Sequence, residues 1–186
     1  MNIQSNQQMD KAAFIAWNAS VDGRYELVGG CVAMMTGGSR AHWLIARNLI
    51  IALHRRLDPR AWEVGPEFGV HSGADTLRYP DVVVDRVAGA ASDHAAAGPV
   101  LLAEVLSPST ATIDLGDKAS EYLRLPSLLT YLVLSQDEPK AWLWVRSEGV
   151  FPAGPEVIVG TEASVQVEAL KLELPLAEIY AGVPID

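Results

Sequence analysis

Apolar residues follow two spacings along this chain, and their order predicts a mixed α/β protein. In the segments 8–17, 40–57 and 113–125 they recur every three or four positions, the spacing of a helix with one buried face. Short apolar runs typical of strands occupy residues 62–70, 77–84, 100–106, 129–134, 140–146, 157–159 and 165–167, and a short helix is expected near 175–180. Elements in this order predict a mixed sheet with helices packed on it.

Two local signals define the first elements. Gly29 and Gly30 lie between the apolar segments 25–28 and 31–35. Paired glycines adopt the positive φ angles of a tight turn, so a β-hairpin is expected here. Ser39 precedes the helix 40–57, where its side chain is expected to cap the first turn.

The composition predicts a globular protein of the reducing cytoplasm. The chain has 186 residues, 49% of them hydrophobic, which suits one domain spanning residues 1–186. No apolar stretch reaches the roughly 18 residues of a membrane helix, and residues 1–20 lack the apolar core of a signal peptide. Cys31 is the only cysteine, which excludes an internal disulfide and fits a cytoplasmic location.

The charge is acidic overall but unevenly distributed. The formal net charge is −9, which argues against a general nucleic-acid coat protein, because such a protein needs basic residues to displace phosphate counterions. The segment 40–60, however, holds five arginines and one acid, Asp58. This locally basic helix is either a solvated face or a surface that meets a polyanion, and the charge pattern leaves both interpretations open.

Two acidic residues interrupt strongly apolar runs. Asp81 follows Pro80 at the head of an apolar triplet, and Glu104 lies within the run 100–106. A carboxylate in a buried strand is costly unless it is paired, hydrogen-bonded or bound to a metal. Mg²⁺ and Mn²⁺ prefer carboxylate and water oxygens, so two acids on neighbouring strands predict a site for such an ion.

A lysine completes this candidate site. Lys118 lies in the predicted helix 113–125 on one face with Asp114 and Tyr122, at i, i+4 spacing, so it can point back over the end of the strand that carries Glu104. A lysine beside a metal orients the nucleophile and stabilises developing charge. The metal lowers the pKa of a water and neutralises charge on a phosphate. The set indicates metal-assisted phosphodiester hydrolysis, with Asp114 expected to position Lys118 or cap its helix.

Each acid also has a simpler interpretation. Asp81 and Asp85 can merely end a strand, and Glu104 can pair with Lys118 or an arginine. His42, at the head of the second helix, either orients a water or phosphate near the metal or is hydrogen-bonded at a helix start.

Serines and tryptophans elsewhere are open to two interpretations as well. Ser107 and Ser109 have no base placed to activate them, so loop capping is the better interpretation of both. Trp142 and Trp144 share one face of a strand, where core or dimer contact is favoured over base stacking.

The motifs around these residues resemble those of a known family. The chain has Tyr25-Glu26-Leu27-Val28-Gly29-Gly30, then His42, then Pro80-Asp81-Val82-Val83-Val84, then Glu104-Val105-Leu106-Ser107-Pro108-Ser109-Thr110, followed by Asp114, Lys118 and Tyr122. Spread over residues 24–146, they resemble the Uma-type restriction endonuclease family of the PD-(D/E)XK nuclease superfamily.

The resemblance implies a fold, a cofactor and a set of site residues. The fold is restriction-endonuclease-like, a mixed sheet with flanking helices. The implied cofactor is Mg²⁺ or Mn²⁺ held by Asp81 and Glu104, and Glu26 is implied as an auxiliary acid near the site.

The chain departs from the family pattern at two positions. The usual lysine of the superfamily lies two residues after the second acid, where this chain has Leu106, so Lys118 is the expected replacement. Relatives often carry a glutamate after the hairpin glycine, where this chain has Cys31, and weaker metal binding follows if that glutamate is a ligand.

Three functional hypotheses follow. The first is a metal-dependent DNA nuclease with Asp81, Glu104 and Lys118 at its centre and Glu26 and His42 assisting. The second is a non-catalytic module of the same fold that binds nucleic acid or a protein partner, and the third is hydrolysis of a small phosphorylated molecule. A homodimer is also expected, since nucleases of this fold often cut two strands with two subunits and the apolar segment 141–145 is predicted to be exposed.

Overall fold

The computed structural model describes residues 8–35, 37–106 and 113–185. Four helices lie in these residues: α1 Lys11–Asn18, α2 Arg40–Arg56, α3 Ala119–Tyr122 and α4 Leu176–Ile179. The strands are β1 Tyr25–Val28, β2 Cys31–Met34, β3 Trp62–Gly65, β4 Val70–Gly73, β5 Thr76–Arg78, β6 Val82–Arg86, β7 Leu101–Val105, β8 Thr130–Leu134, β9 Lys140–Val145, β10 Glu156–Val159, β11 Ser164–Val167 and β12 Leu172–Pro175. A π-helical segment, Ile113–Lys118, leads into α3, and a 3₁₀ turn, Glu168–Leu170, precedes β12.

The centre of the fold is a mixed six-stranded sheet in the order β10-β9-β8-β7-β6-β3. Strands β7 and β8 are parallel and every other neighbouring pair in this sheet is antiparallel. Both parallel strands are buried along their whole length, as expected for strands covered on two faces. This is the mixed α/β architecture that the order of apolar segments predicts.

Two apolar clusters cover the faces of this sheet. On one face, α2, α4 and the β11–β12 hairpin pack against alternate residues of the central strands, among them Leu101 and Leu132. On the other face, α3 packs against the intervening residues, among them Leu102 and Tyr131. Because side chains alternate along a strand, Glu104 shares the second face with Leu102 and points toward α3.

A second sheet, in the order β2-β1-β5-β4, stands beside the first and carries the predicted hairpin. Gly29 and Gly30 both have positive φ at its turn, as the paired glycines require. Helix α1 packs on this sheet, where Phe14 of the helix and Leu27 of β1 belong to one apolar cluster.

Several predicted elements differ from the structure. The segment 77–84 divides at Pro80 into β5 and β6, which belong to different sheets, and the segment 62–70 likewise divides into β3 and β4. A proline has no N–H to continue a ladder, and here it marks the crossing between the sheets. The predicted helix 113–125 is π-helical in its first six residues.

The expectation that the segment 141–145 is exposed is wrong. Strand β9 pairs on one side with β8 and on the other with β10, and Ala141, Leu143 and Trp144 are buried. Trp144 lies in the second cluster and Trp142 packs against it, which supports the core interpretation of these tryptophans. Ser107 and Ser109 lie outside the described residues. Across the described ranges, no helix is both long and apolar enough to cross a membrane.

Candidate active site

A cleft of about 750 Å³ opens between α2 and the crossing point of the two sheets. Its lining includes every residue that the sequence predicts for the site: Glu26, His42, Asp81, Glu104 and Lys118. Asp114 lines it as well. Residues far apart in the sequence therefore converge in one cavity.

Strand register places the two acids side by side. Val82 of β6 pairs with Ala103 of β7 in an antiparallel ladder, so the next position along each strand sets Asp81 opposite Glu104. The backbone N–H of Val105 donates a hydrogen bond of 2.7 Å to Asp81 Oδ2, which fixes the aspartate against the end of β7. The side chain of Asp81 is 15% exposed and that of Glu104 only 4%.

Lys118 reaches the acids from the π-helical segment. Its Nζ lies 2.9 Å from Glu104 Oε1 and 3.1 Å from Asp114 Oδ1. The Tyr122 hydroxyl, one turn further along, donates to Glu104 Oε1 at 3.1 Å. Asp114 is itself held in place, since the Tyr131 hydroxyl of β8 donates to its backbone carbonyl at 2.9 Å. The predicted role of Asp114, to position Lys118, agrees with this contact.

These buried contacts shift the pKa values of both partners. Burial raises the pKa of Glu104 well above its usual range, and the carboxylates of Asp81 and Asp114 add to that effect against the opposing charge of Lys118. Burial alone would lower the pKa of Lys118, but Glu104 and the other nearby carboxylates raise it. Lys118 is therefore charged at neutral pH. The carboxylates around Glu104, which include Asp81 and Asp114, together carry more negative charge than Lys118 alone offsets.

His42 bridges α2 to the acids. The helix begins after Ser39, whose hydroxyl accepts a hydrogen bond of 3.1 Å from the His42 N–H, as the sequence predicts. The ring Nε2 lies 3.1 Å from Asp81 Oδ2. Burial lowers the pKa of His42, but the hydrogen bond to Asp81 and the negative charges of Asp81 and Asp114 together outweigh burial, so the net shift of the pKa is upward. Both roles considered for His42 are thus compatible with its position.

Glu26 sits at the base of the cleft in a different environment. Its Oε2 pairs with Arg78 at 3.0 Å and its Oε1 accepts from the backbone N–H of Tyr79 at 3.2 Å. Arg78 is almost fully buried and also contacts Glu121 of α3 at 2.7 Å. Glu26 therefore contributes negative charge near Glu104 while its oxygens hold the neighbouring strand in place.

The donor set fits a divalent cation of the Mg²⁺ type. Among residues 8–35, 37–106 and 113–185, no group of three or more histidine, cysteine or acidic side chains is arranged to hold a metal ion. Mg²⁺ keeps several waters, however, and is commonly bound by one or two carboxylates together with substrate phosphates. Asp81 and Glu104 provide such a pair in an open cleft, and the surplus of buried carboxylates there favours a bound cation.

Sequence reasoning missed the ion network that supports the site. Arg78 and Glu121 join the hairpin sheet to α3, and Tyr131 braces Asp114 from β8. Arg78 had a detectable signal, because it interrupts an apolar run just as Glu104 does. Tyr131 had none, since a tyrosine in an apolar strand is ordinary core composition.

The chain belongs to the Uma2 family. The family model, described as "Putative restriction endonuclease", matches residues 12–177 and so includes every residue of the cleft named above. This confirms the resemblance drawn from the motifs.

Two individual proteins resemble the whole chain. The uncharacterized protein slr1290 of Synechocystis sp. is 29% identical over 178 residues, which cover 91% of this chain and 90% of the relative. A crystal structure of a putative nuclease belonging to DUF820 from Anabaena variabilis superposes with a TM-score of 0.75 at 15% identity, covering 95% of this chain and 99% of that one. The structural likeness confirms the restriction-endonuclease-like fold.

Proposed function

We propose that this protein is a divalent-metal-dependent nuclease that hydrolyses DNA phosphodiester bonds. One observation carries the proposal: Asp81 and Glu104 lie side by side across β6 and β7, with the Lys118 ammonium 2.9 Å from Glu104, in one open cleft. Membership of the Uma2 family supports the same class of reaction.

The residues of the cleft have different roles in the proposed hydrolysis. Asp81 and Glu104 would hold Mg²⁺ or Mn²⁺, which when bound lowers the pKa of a water and offsets charge on the phosphate. Lys118 carries a fixed positive charge beside the acids, where it stabilises negative charge developing on the attacking oxygen. Tyr122 and Asp114 keep Glu104 and Lys118 in place.

His42 and Glu26 act from the edges of this arrangement. His42 holds Asp81 Oδ2 from the α2 side, so it orients that carboxylate and can hold a proton at Nε2. Glu26 fixes Arg78 and adds negative charge that favours a bound cation. We assign both a positioning role.

Cleavage of plasmid and of labelled single-stranded DNA, each with Mg²⁺ and with Mn²⁺, tests this proposal. Asp81→Asn, Glu104→Gln and Lys118→Gln should each lose about 100-fold or more in rate, the usual cost of removing one group that stabilises the transition state. Asp117→Asn is the matched control, because Asp117 is exposed on the same segment as Lys118 and does not line the cleft. Equal cleavage by all variants that remain folded would overturn the assignment.

A second candidate is a nuclease-fold module that binds nucleic acid or a protein partner without cutting. It is favoured by one observation: both acids already contact basic side chains, Glu104 with Lys118 and Asp81 with His42. DNA binding with no cleavage in any metal, by wild type and variants alike, would select this candidate.

A homodimer and a cytoplasmic location belong to the same proposal. The dimer is proposed because nucleases of this fold often act as two subunits, and light scattering of the purified protein measures it directly. The cytoplasmic location is proposed because Cys31 is the only cysteine of the chain.

A further inference from the structure

An exposed tryptophan stands at the mouth of the cleft. Trp43, in the first turn of α2, has 58% of its surface exposed and lines the cavity that holds Asp81 and Glu104. An aromatic side chain of this size is normally buried on folding, because burial gains about 1.5–3 kcal/mol. Its exposure beside a candidate active site therefore suits contact with a bound molecule.

Trp43 is part of a continuous wall. The cleft-lining positions Trp43, Ala46, Arg47, Ile50 and Ile51 follow the i, i+3, i+4, i+7 and i+8 pattern of one helix face. The wall is mainly apolar, and Ile51 is also exposed, at 40%. This face of α2 lies against the cavity, while the opposite side of the helix packs on the sheet.

Arginines accompany the apolar wall. The guanidinium of Arg47 lies over the Trp43 ring, 5.3 Å from its centre, and is also held by Asn48 Oδ1 at 2.8 Å. Arg40, one turn before Trp43, is exposed and lines the same cleft. An aromatic face flanked by arginines combines a stacking surface for a base with charges for the adjoining phosphates.

We infer that this wall binds an unpaired stretch of nucleic acid, with one base stacked on Trp43 and its phosphates near Arg40 and Arg47. This rests on the proposed function and narrows its substrate to single-stranded DNA. A single strand exposes the π faces of its bases to an apolar surface, whereas a duplex presents mainly phosphates and needs many cations. The wall offers few cations on a body of net charge −9, so it suits the single strand better.

Fluorescence anisotropy with a labelled thymidine oligonucleotide, and with a duplex of the same length, tests the inference. The measurement is made in EDTA and again in Ca²⁺ for wild type, Trp43→Ala and Trp43→Phe. Trp43→Ala should weaken single-strand binding about tenfold or more, whereas Trp43→Phe keeps a ring and should remain within about threefold of wild type. Wild type should bind the single strand more tightly than the duplex.

A matched control comes from a second arginine–tryptophan pair. Arg86 lies over the Trp62 ring at 4.7 Å, and neither residue lines the cleft. Arg47→Gln should weaken single-strand binding, and Arg86→Gln should leave it unchanged. Equal effects of the two substitutions, or unchanged binding by Trp43→Ala, would overturn the inference.

The remaining outcomes separate this inference from the proposed function. Trp43-dependent binding without cleavage in any metal would overturn the nuclease proposal and support the inference. If wild type and Trp43→Ala cleave duplex DNA equally well, the nuclease proposal is supported and the inference about Trp43 is wrong. If Trp43→Ala instead converts a dimer to a monomer without changing oligonucleotide binding, a second copy of the chain covers the wall and the inference is wrong.

Discussion

At the scale of single residues, the charges of the cleft are buried in groups rather than in isolated pairs. Glu104 Oε1 accepts from both Lys118 and Tyr122, and Arg78 contacts both Glu26 and Glu121. Removing one member of a buried pair leaves the other uncompensated, at a cost of about 3–5 kcal/mol. Isosteric substitutions are therefore needed to separate a loss of chemistry from a loss of folding.

Gly38 offers a way to disturb His42 without changing it. A Cβ atom at position 38 would lie 2.6 Å from His42 Nδ1 and 2.8 Å from Cγ, so the ring must move. We expect Gly38→Ala to displace His42 from Asp81 and to lower the cleavage rate about as much as His42→Ala does. Side-by-side rate measurements on the same DNA check this expectation.

The neighbouring glycine provides the control for that substitution. At Gly37 a Cβ would meet nothing within 4 Å among the described residues. Gly37→Ala should therefore cut DNA at the wild-type rate. If Gly38→Ala also does so, the contact of His42 with Asp81 contributes nothing to the reaction.

At the scale of elements, the site depends on where strands end and cross. The chain leaves β5 of one sheet and enters β6 of the other through Tyr79, Pro80 and Asp81, and this crossing delivers Asp81 to the end of β7. The position of Asp81 is thus a consequence of sheet topology, so a distortion of the backbone at the crossing should displace Asp81.

The backbone makes a close approach just before β4, where it meets the loop that precedes β7. Gly69 forms a bridge with Ala95, and a Cβ at position 69 would lie 2.3 Å from the His94 carbonyl oxygen. Gly69→Ala must push the two backbones apart and should lower the free energy of unfolding by about 1–3 kcal/mol, the usual cost of overpacking. Urea denaturation measures this.

Gly65 is the comparison for that measurement. It lies in β3, and a Cβ there meets no described atom within 4 Å. Gly65→Ala should leave the free energy of unfolding within about 0.5 kcal/mol of wild type. A similar loss in both variants would show that the contact with His94 is unimportant.

Glu121 ties the hairpin sheet to α3 and makes stability depend on pH. Burial alone would raise its pKa, but the hydrogen bonds and charge of Arg78 lower it below the ordinary value of 4.5. A depressed carboxyl pKa stabilises the fold above 4.5, and this contribution is lost as the pH falls through the lowered value. Glu121→Gln should therefore cost about 1–3 kcal/mol near neutral pH and much less in acid.

Urea denaturation across this pH range, with Glu162→Gln as the control, checks the expectation. Glu162 is exposed in a turn, so its substitution should have little effect at any pH. A Glu121→Gln penalty that stays constant into acid would show that the ion pair with Arg78 is not its cause.

Local signals predicted some elements accurately and tertiary contacts decided the others. The hairpin around Gly29 and helix α2 with its Ser39 cap lie where the sequence places them, because each depends on its own turn or cap. The division of the segment 77–84 depends on two sheets meeting at Pro80, and the π-helical start of the segment 113–125 accompanies the buried contacts of Lys118. Neither arrangement is encoded in spacing alone.

The site follows the same rule. The convergence of Asp81, Glu104 and Lys118 was predictable, since each acid interrupts an apolar run and needs a partner, and Lys118 lies on the helix that follows the strand of Glu104. Arg78 broke an apolar run too, but its two partners come from distant elements, β1 and α3. The tryptophan at the mouth was hidden for the opposite reason, because an aromatic residue on an amphipathic helix predicts core.

At the scale of the whole molecule, an acidic protein gathers acids around one cleft. Five carboxyl groups (Glu26, Asp81, Glu104, Asp114 and Glu121) lie in or beside the cleft, and the side chains that pair with them include Arg78, Lys118 and His42. The surplus of negative charge is costly in a buried place. A bound divalent cation would relieve it and would stabilise the folded state along with the chemistry.

Thermal unfolding tests whether a divalent cation stabilises the folded protein, without any assay of activity. A ligand that binds only the folded state at 100 times its Kd adds about 2.7 kcal/mol, which for a chain of this size is a rise in Tm of roughly 5–10 °C. Mg²⁺ or Mn²⁺ should raise the Tm of wild type and of Asp117→Asn, and should leave Asp81→Asn and Glu104→Gln unchanged. Because salt alone screens the repulsion among the acids, NaCl at matched ionic strength is the reference for each protein. Equal shifts in all four proteins, or a metal effect no larger than that of NaCl, would show that Asp81 and Glu104 hold no divalent cation.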